Sequence, residues 1–446
     1  MALQATGRLN PFLLRSALVA ALGGLLFGFD TAVIAGTTRA LSTTFQLTPG
    51  LLGLTVASAL WGTVLGSLFA GAPGDRYGRV ACLRALAVLY VVTALGCAFA
   101  WNWYALVFFR ALGGLAIGGS SVIGPMYIAE IAPAAKRGRL VGMFQFNVVL
   151  GILVAYLSNY VVGLVGLGPN EWRWKLGVAA APAAGFFVAL FGIPQSPRWL
   201  ARVGRAGEAR EVLRKIGEPH VDQELSDILA TVHVESKDRG EPLFQRRYSL
   251  PIFLAISIGM FNQLAGINAI LYYLNDIFER AGFNKVSSDL QSVAIGLANL
   301  VFTMAAMSVI DKIGRKKLLL IGSVGTAICL ASVAAIFASG RGEKLLVWVL
   351  VGYIASFAFS QGSVIWVYIS EVFPNMVRAK GQSLGSFTHW IMNAMISGIF
   401  PMMAAASGSI PFVFFACMMV AQFIVVAAVY PETKGYTLEE MERKLR

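Results

Sequence analysis

Twelve apolar runs dominate the chain: 12–35, 51–73, 81–100, 103–131, 138–163, 174–194, 248–279, 288–311, 316–338, 344–372, 379–404 and 410–430. About 20 apolar residues of helix cross the ~30 Å hydrocarbon core of a bilayer. Inside that core every backbone N–H and C=O needs a partner within its own segment, so the runs are expected to be helices. Charged residues are 13% of the chain, about half the share of a soluble globule. The expected class is an all-α membrane protein with twelve transmembrane helices. The first run is long enough to span and has no clear cleavage site after it, so it is read as a retained helix rather than a signal peptide.

The net charge of +13 invites a nucleic-acid reading, but its placement argues otherwise. With both termini and the even-numbered connections on one side, 28 of the 36 Lys/Arg fall there, 7 fall opposite, and Arg110 lies within a helix. That asymmetry marks the cytoplasmic side. Cys82, Cys97, Cys329 and Cys417 are scattered through apolar runs and read as free thiols. No metal-ligand cluster, phosphate-cradling loop or nucleophile–base pair is evident, so neither an enzyme nor a metal site is expected.

Within 248–279 the stretch FNQLAGINAILYY places Asn262, Gln263 and Asn268 in one apolar helix. Lipid would leave these amides unsatisfied at a cost of several kcal/mol, so they are expected to face a wet interior. On a regular helix Asn268 lies about 140° around from Gln263, so the three cannot share a narrow face. Gly266 between them could loosen the helix. Asn268 and Tyr272 are four apart and do share a face. Amides with aromatic rings suit a polyhydroxylated solute; the competing reading is polar bonding between helices. Asp30, in GGLLFGFDTAVIAG, is a carboxyl in a membrane helix, and its natural partner is Arg110 in FFRALGG, read as the only base well inside a helix. The two form either a static ion pair or a pair that opens when Asp30 takes up a proton. Gln145 in the fifth run either bonds a neighbouring helix or reaches the cavity.

The chain repeats itself. GDRYGR at 74–79 is echoed by DKIGRKK at 311–317, and YIAEIAPAAKRGR at 127–139 by YISEVFPNMVRAKG at 368–381. This divides it into a six-helix half (1–194), a polar linker (195–247) with two stretches of helical apolar spacing, a second six-helix half (248–430) and a tail (431–446). Two similar halves about one cavity are a transporter layout.

Those motifs, with FRALGGLAIGGSSVIGPMYIAE, PQSPRWL and PETKG, resemble the sugar porters of the major facilitator superfamily (MFS), which include bacterial sugar–proton symporters and animal glucose facilitators. The resemblance covers about residues 20–436. It implies the MFS fold: two pseudo-symmetric halves with a cytoplasmic helical linker. The Lys/Arg distribution puts both termini in the cytoplasm, and the lack of an N-x-S/T sequon with short outer loops favours a bacterial inner membrane. The resemblance implies sugar contacts at Gln145, Gln263, Asn268, Asn299 and Trp366, and an aromatic wall of Phe27, Tyr272, Tyr273 and Trp390; Asn262 and His389 are candidate contacts from their own polar chemistry. Asp30 and Arg110 match the proton-coupling residues of the symporters. A cytoplasmic charge network falls on Asp75, Arg76, Arg79, Glu130, Arg137, Arg198, Asp311, Arg315, Glu371 and Arg378; it is expected to latch the outward-open state and break when the inside opens. Departures are Asn262 where a glutamine is usual, Gln195 in place of the glutamate of PESPR, His389 for an amide, and no proline around Gly362. The expected activity is proton-coupled monosaccharide symport by a monomer, with the proton as coupling ion and no cofactor or nucleic acid. The alternatives are a proton-independent facilitator and a non-transporting sugar sensor.

Overall fold

The computed structural model describes residues 10–133, 136–235, 241–374, 376–435, 440, 441 and 443, without the side chains of 232–235 and 311. The membrane helices are α1 (Pro11–Val33), α2 (Pro49–Phe69), α3 (Arg79–Ala98), α4 (Trp103–Ile131), α5 (Arg137–Val165) and α6 (Gly168–Gly192, in pieces). In the second half come α7 (Arg246–Tyr272), α8 (Lys285–Ile313), α9 (Arg315–Ser339), α10 (Glu343–Val372), α11 (Arg378–Ala406) and α12 (Ile410–Val429). Eleven are apolar enough to span, with mean hydropathy of 1.6 to 2.6. The other, α11, is 29 residues long but diluted by Thr388, His389, Asn393 and Ser397, of which the last three are buried.

Local chemistry sets the helix ends. Asn10, Thr48, Asn102 and Asn284 accept hydrogen bonds from backbone N–H groups of the first turns of α1, α2, α4 and α8. Pro11 and Pro49 occupy the first helical positions, where no donor is lost.

The sequence repeat recurs in the backbone. Gly78 and Gly314 open α3 and α9 at φ 93°, ψ 154° and φ 102°, ψ 155°, conformations that favour glycine. The next residue in each case, Arg79 or Arg315, holds Glu130 or Glu371 with Nη2–Oε1 at 2.8 Å. Tyr127 and Tyr368 donate to the carbonyls of Pro194 and Pro431 at 2.8 and 3.1 Å.

Three apolar cores explain where a cavity can form. On the side away from the linker, one core joins residues of both halves, from Phe29 and Tyr156 to Tyr272, Phe400 and Phe415. On the linker side the core is split, one part in each half. The helices Pro197–Arg202, Ala206–Ile216 and Val221–Glu235 lie in the linker, and Val212, Leu213, Ile216 and Leu225 are buried in the first half's core. Each such side chain contributes about 1.5–3 kcal/mol on burial. Asn10 Nδ2 donates to Lys215 O at 3.1 Å and Trp199 Nε1 to Asp75 O at 2.9 Å, fixing the linker to that half.

Candidate substrate and coupling site

α7 breaks at Gly266, where φ is +82°. A Cβ there would lie 2.3 Å from the Phe415 ring, so both conformation and space require glycine. A broken helix in a membrane leaves carbonyls without partners. Two of them are taken up by tyrosines: Tyr353 donates to Ala265 O at 2.8 Å and Tyr156, from the first half, to Leu271 O at 2.7 Å. The break also corrects the helical-phase expectation. Instead of lying about 140° apart, Asn268 and Gln263 meet, with Asn268 Nδ2 donating to Gln263 Oε1 at 3.1 Å.

α10 is interrupted as well. With no proline present, Ala358–Gly362 forms a π-helical turn that widens the helix at Gly362. Gly322 of α9 makes room for it; a Cβ there would meet Ser360 Oγ at 1.8 Å. Gln361 O, on this turn, accepts from Asn262 Nδ2 at 3.3 Å.

These breaks border a cavity of about 170 Å³ between the halves. It is lined by Phe27 and Gln145 of the first half and by Asn262, Gln263, Asn268, Tyr272, Asn299, Trp366, His389 and Trp390 of the second. Gln263 Nε2 donates to Asn262 Oδ1 at 3.0 Å and lies 3.3 Å from the His389 ring nitrogens, so the imidazole acts as acceptor. His389 sits between Trp366 and Trp390, with ring centroids 5.2 and 5.1 Å away. Towards the linker side Gln145 and Trp366 are exposed; towards the other side the cavity ends on buried Ile267, Leu271 and Tyr272. There α2 and α11 touch backbone to backbone: a Cβ on Gly53 would lie 1.9 Å from Gly398 O. The cavity is therefore closed on the far side and open on the linker side.

Tyr273 departs from the expected wall. Its hydroxyl donates to Ser397 O at 3.0 Å and its ring stacks on Phe400 at 5.0 Å, facing a second cavity with Arg280. Tyr273 is the non-helical residue that caps α7 after Tyr272, and the two rings line different cavities.

Asp30 and Arg110 face one small void of about 10 Å³, room for roughly one water. The expected direct ion pair is not formed among the described residues, and Arg110 Nε, buried, has no hydrogen-bond partner. Phe27, Thr31, Tyr272 and Trp390 line both the void and the amide cavity, so a single layer of side chains separates the two. Nor is Arg110 the only base buried among the helices: Lys175 of α6 is fully buried.

The charge network is narrower than expected. Arg79 binds Glu130 and Asp75, and Arg315 binds Glu371; each of these pairs stays within one half. Arg137 donates to Ala129 O at 3.1 Å rather than to Glu130, and Arg378 to Phe373 O at 3.3 Å. Both cap helix ends, whose last carbonyls lack partners. Arg76 packs over Tyr77, while Asp75 also pairs with Arg202 at 2.9 Å. Arg198 lies partly buried in the helix Pro197–Arg202; the side chain of Asp311 is outside the described residues. Gln195 keeps a capping role, accepting from Val80 N at 3.2 Å.

Sequence reasoning missed Thr31 and Thr303 in the lining, and Asn393, which donates to the Tyr272 hydroxyl at 3.2 Å. It also missed a buried charged cluster on the far side. The signal was present in Lys175 and Asp289, charges inside the ends of apolar runs.

Comparison with known proteins agrees with this geometry. The chain is 37% identical to the glucose transport protein of Synechocystis, with 98% of each chain covered. It is 35% identical to the arabinose-proton symporter of Bacillus subtilis, covering 97% of this chain and 95% of that one. The inward-open structure of the xylose transporter XylE from E. coli superposes with a TM-score of 0.86 at 34% identity, over 96% of this chain and 98% of that one. The sequence pattern of the family described as sugar (and other) transporters matches residues 16–445. With its all-helical two-half fold and multi-pass membrane character, the chain belongs to that family, the sugar porters of the major facilitator superfamily.

Proposed function

We propose that the protein is a proton-coupled monosaccharide symporter working by alternating access. The observation that carries this reading is the single layer of side chains between the amide-lined cavity and the void shared by Asp30 and Arg110. The sugar hydroxyls bond Gln145, Gln263, Asn268 and Asn299, while Trp366, Trp390, Tyr272 and Phe27 cover its C–H faces. With Asp30 neutral, Arg110 is released and the loaded carrier turns inward; with Asp30 ionised, Arg110 is drawn towards it. Coupling requires only that sugar and proton favour the same state. The proton is the sole coupling ion and no cofactor takes part. The linker side is cytoplasmic, in a cell inner membrane, by the distribution of Lys and Arg, and the monomer holds a complete site.

The similarity to a glucose transport protein, an arabinose-proton symporter and a xylose transporter supports a hexose or pentose. The test is to add sugars singly to lightly buffered cells or vesicles containing the protein. Alkalinisation of the medium with uptake of one or more monosaccharides is expected. Uptake without any pH change would leave a facilitator, and binding without counterflow a sensor.

A further inference from the structure

The side of the molecule away from the linker holds ionic chemistry that the transport reading does not use. Lys175 of α6 is fully buried, and Asp289 of α8, Glu171 of α6 and Asn275 just beyond α7 are each at least 95% buried. Lys175 Nζ donates to Glu171 Oε1 at 2.9 Å, to Asp289 Oδ2 at 3.4 Å and to Gly36 O at 3.1 Å. Its three donors are thus all engaged. Glu171 Oε2 also takes Lys285 Nζ at 2.6 Å, and Asp289 Oδ1 accepts from Asn275 Nδ2. Asn275 Oδ1 in turn accepts from Ser292 at 2.8 Å. Two acids and two bases leave the cluster neutral. Gly163 of α5 lets the half that holds it come close: a Cβ there would lie 3.0 Å from Asp289 Oδ2.

The cluster crosses the boundary between the halves. Gly36, Glu171 and Lys175 belong to the first half; Asn275, Lys285, Asp289 and Ser292 belong to the second. We propose that the Lys175–Asp289 pair, with its Glu171–Lys285 neighbour, is the far-side latch of the transport cycle, a set of positioning residues that hold the cavity shut on that side while it is open to the linker side. The proposal rests on the alternating-access reading. Its physical basis is the asymmetry of buried ion pairs: intact, the cluster satisfies both charges, but losing one partner strands the other away from water. A stranded Asp289 regains water only when the halves part, so single substitutions favour the state open on the far side. Replacing both partners by apolar residues strands no charge, because Glu171 keeps Lys285, and the closed state returns.

The test uses the full chain in nanodiscs, with its four cysteines replaced and spin labels at Trp101 and Leu345, positions 75% and 60% exposed on the far side, one in each half. Lys175→Met is expected to raise the population at longer label distance about fivefold or more. Lys175→Gln, which breaks the same pairs while keeping a polar side chain, should do likewise if the Met variant folds poorly. The double variant Lys175→Met/Asp289→Leu should return to the parent distribution. Single variants with the parent's distances, or a double variant that stays shifted, would overturn the latch. Sugar counterflow by the parent protein, run in parallel, reports separately on the transport reading.

Discussion

The corner on the linker side and the centre of the bundle tell opposite stories about the same duplication. At the corner the halves match nearly atom for atom: Gly78 with Gly314, Arg79–Glu130 with Arg315–Glu371, Tyr127–Pro194 with Tyr368–Pro431. At the centre they share little. The first half supplies Asp30, Arg110 and one amide, Gln145; the second supplies Asn262, Gln263, Asn268, Asn299 and His389. Turning the chain between two helices is the same mechanical task in both halves. At the centre one half carries the acid and the other most of the solute contacts, so the residues differ.

The strongest way to break this division of labour is Asp30→Asn. If the acid serves only coupling, gradient-driven accumulation in vesicles should fall at least about tenfold, equivalent to ~1.4 kcal/mol, while equilibrium exchange of labelled sugar persists. Accumulation at the parent level would remove Asp30 from the coupling role.

Gln263→Ala probes the other half of the division. Gln263 bonds Asn262, Asn268 and His389 at once, so its loss both deletes a contact and loosens its neighbours. Sugar affinity measured by competition should weaken by about 10- to 100-fold, or ~1.4–2.8 kcal/mol. The pH dependence of exchange should not move. A variant altered in pH dependence but not in affinity would mean the division is wrongly drawn.

The smallest expected effect lies at the corners. Glu432 accepts from the N–H groups of Arg315 and Lys316 at 2.9 and 3.1 Å, whereas its counterpart Gln195 accepts from Val80 N alone, at 3.2 Å. A carboxylate at a helix N-terminus stabilises it more than an amide by about 0.3–1 kcal/mol. Gln195→Glu should therefore raise the thermal midpoint in detergent by a degree or two, and Glu432→Gln should lower it by a similar amount. Equal and opposite shifts would sharpen the match between corners; no shift from either would show that the cap contributes nothing.

Much of this could be read along the chain, because hydropathy and turn chemistry are local. The apolar runs, the paired glycine turns and the polar residues of 261–273 each needed only their own neighbours in sequence. The Asp30–Arg110 proximity came from elimination: few charges lie within the runs. The partners that surround a side chain needed the folded molecule. Arg137 and Arg378 went to backbone carbonyls, and Tyr273 turned to Ser397 and Phe400.

The sequence alone determined a helical membrane bundle in two related halves with amides at its heart, since membrane length, period and composition leave no other solution. Only the tertiary structure decided that Gly266 and the π turn at 358–362 would swing those amides together, and that Lys175 and Asp289 would meet across the halves. A helix break resets the phase of everything after it, and a buried charge finds its partner in space; neither follows from residues nearby in the chain.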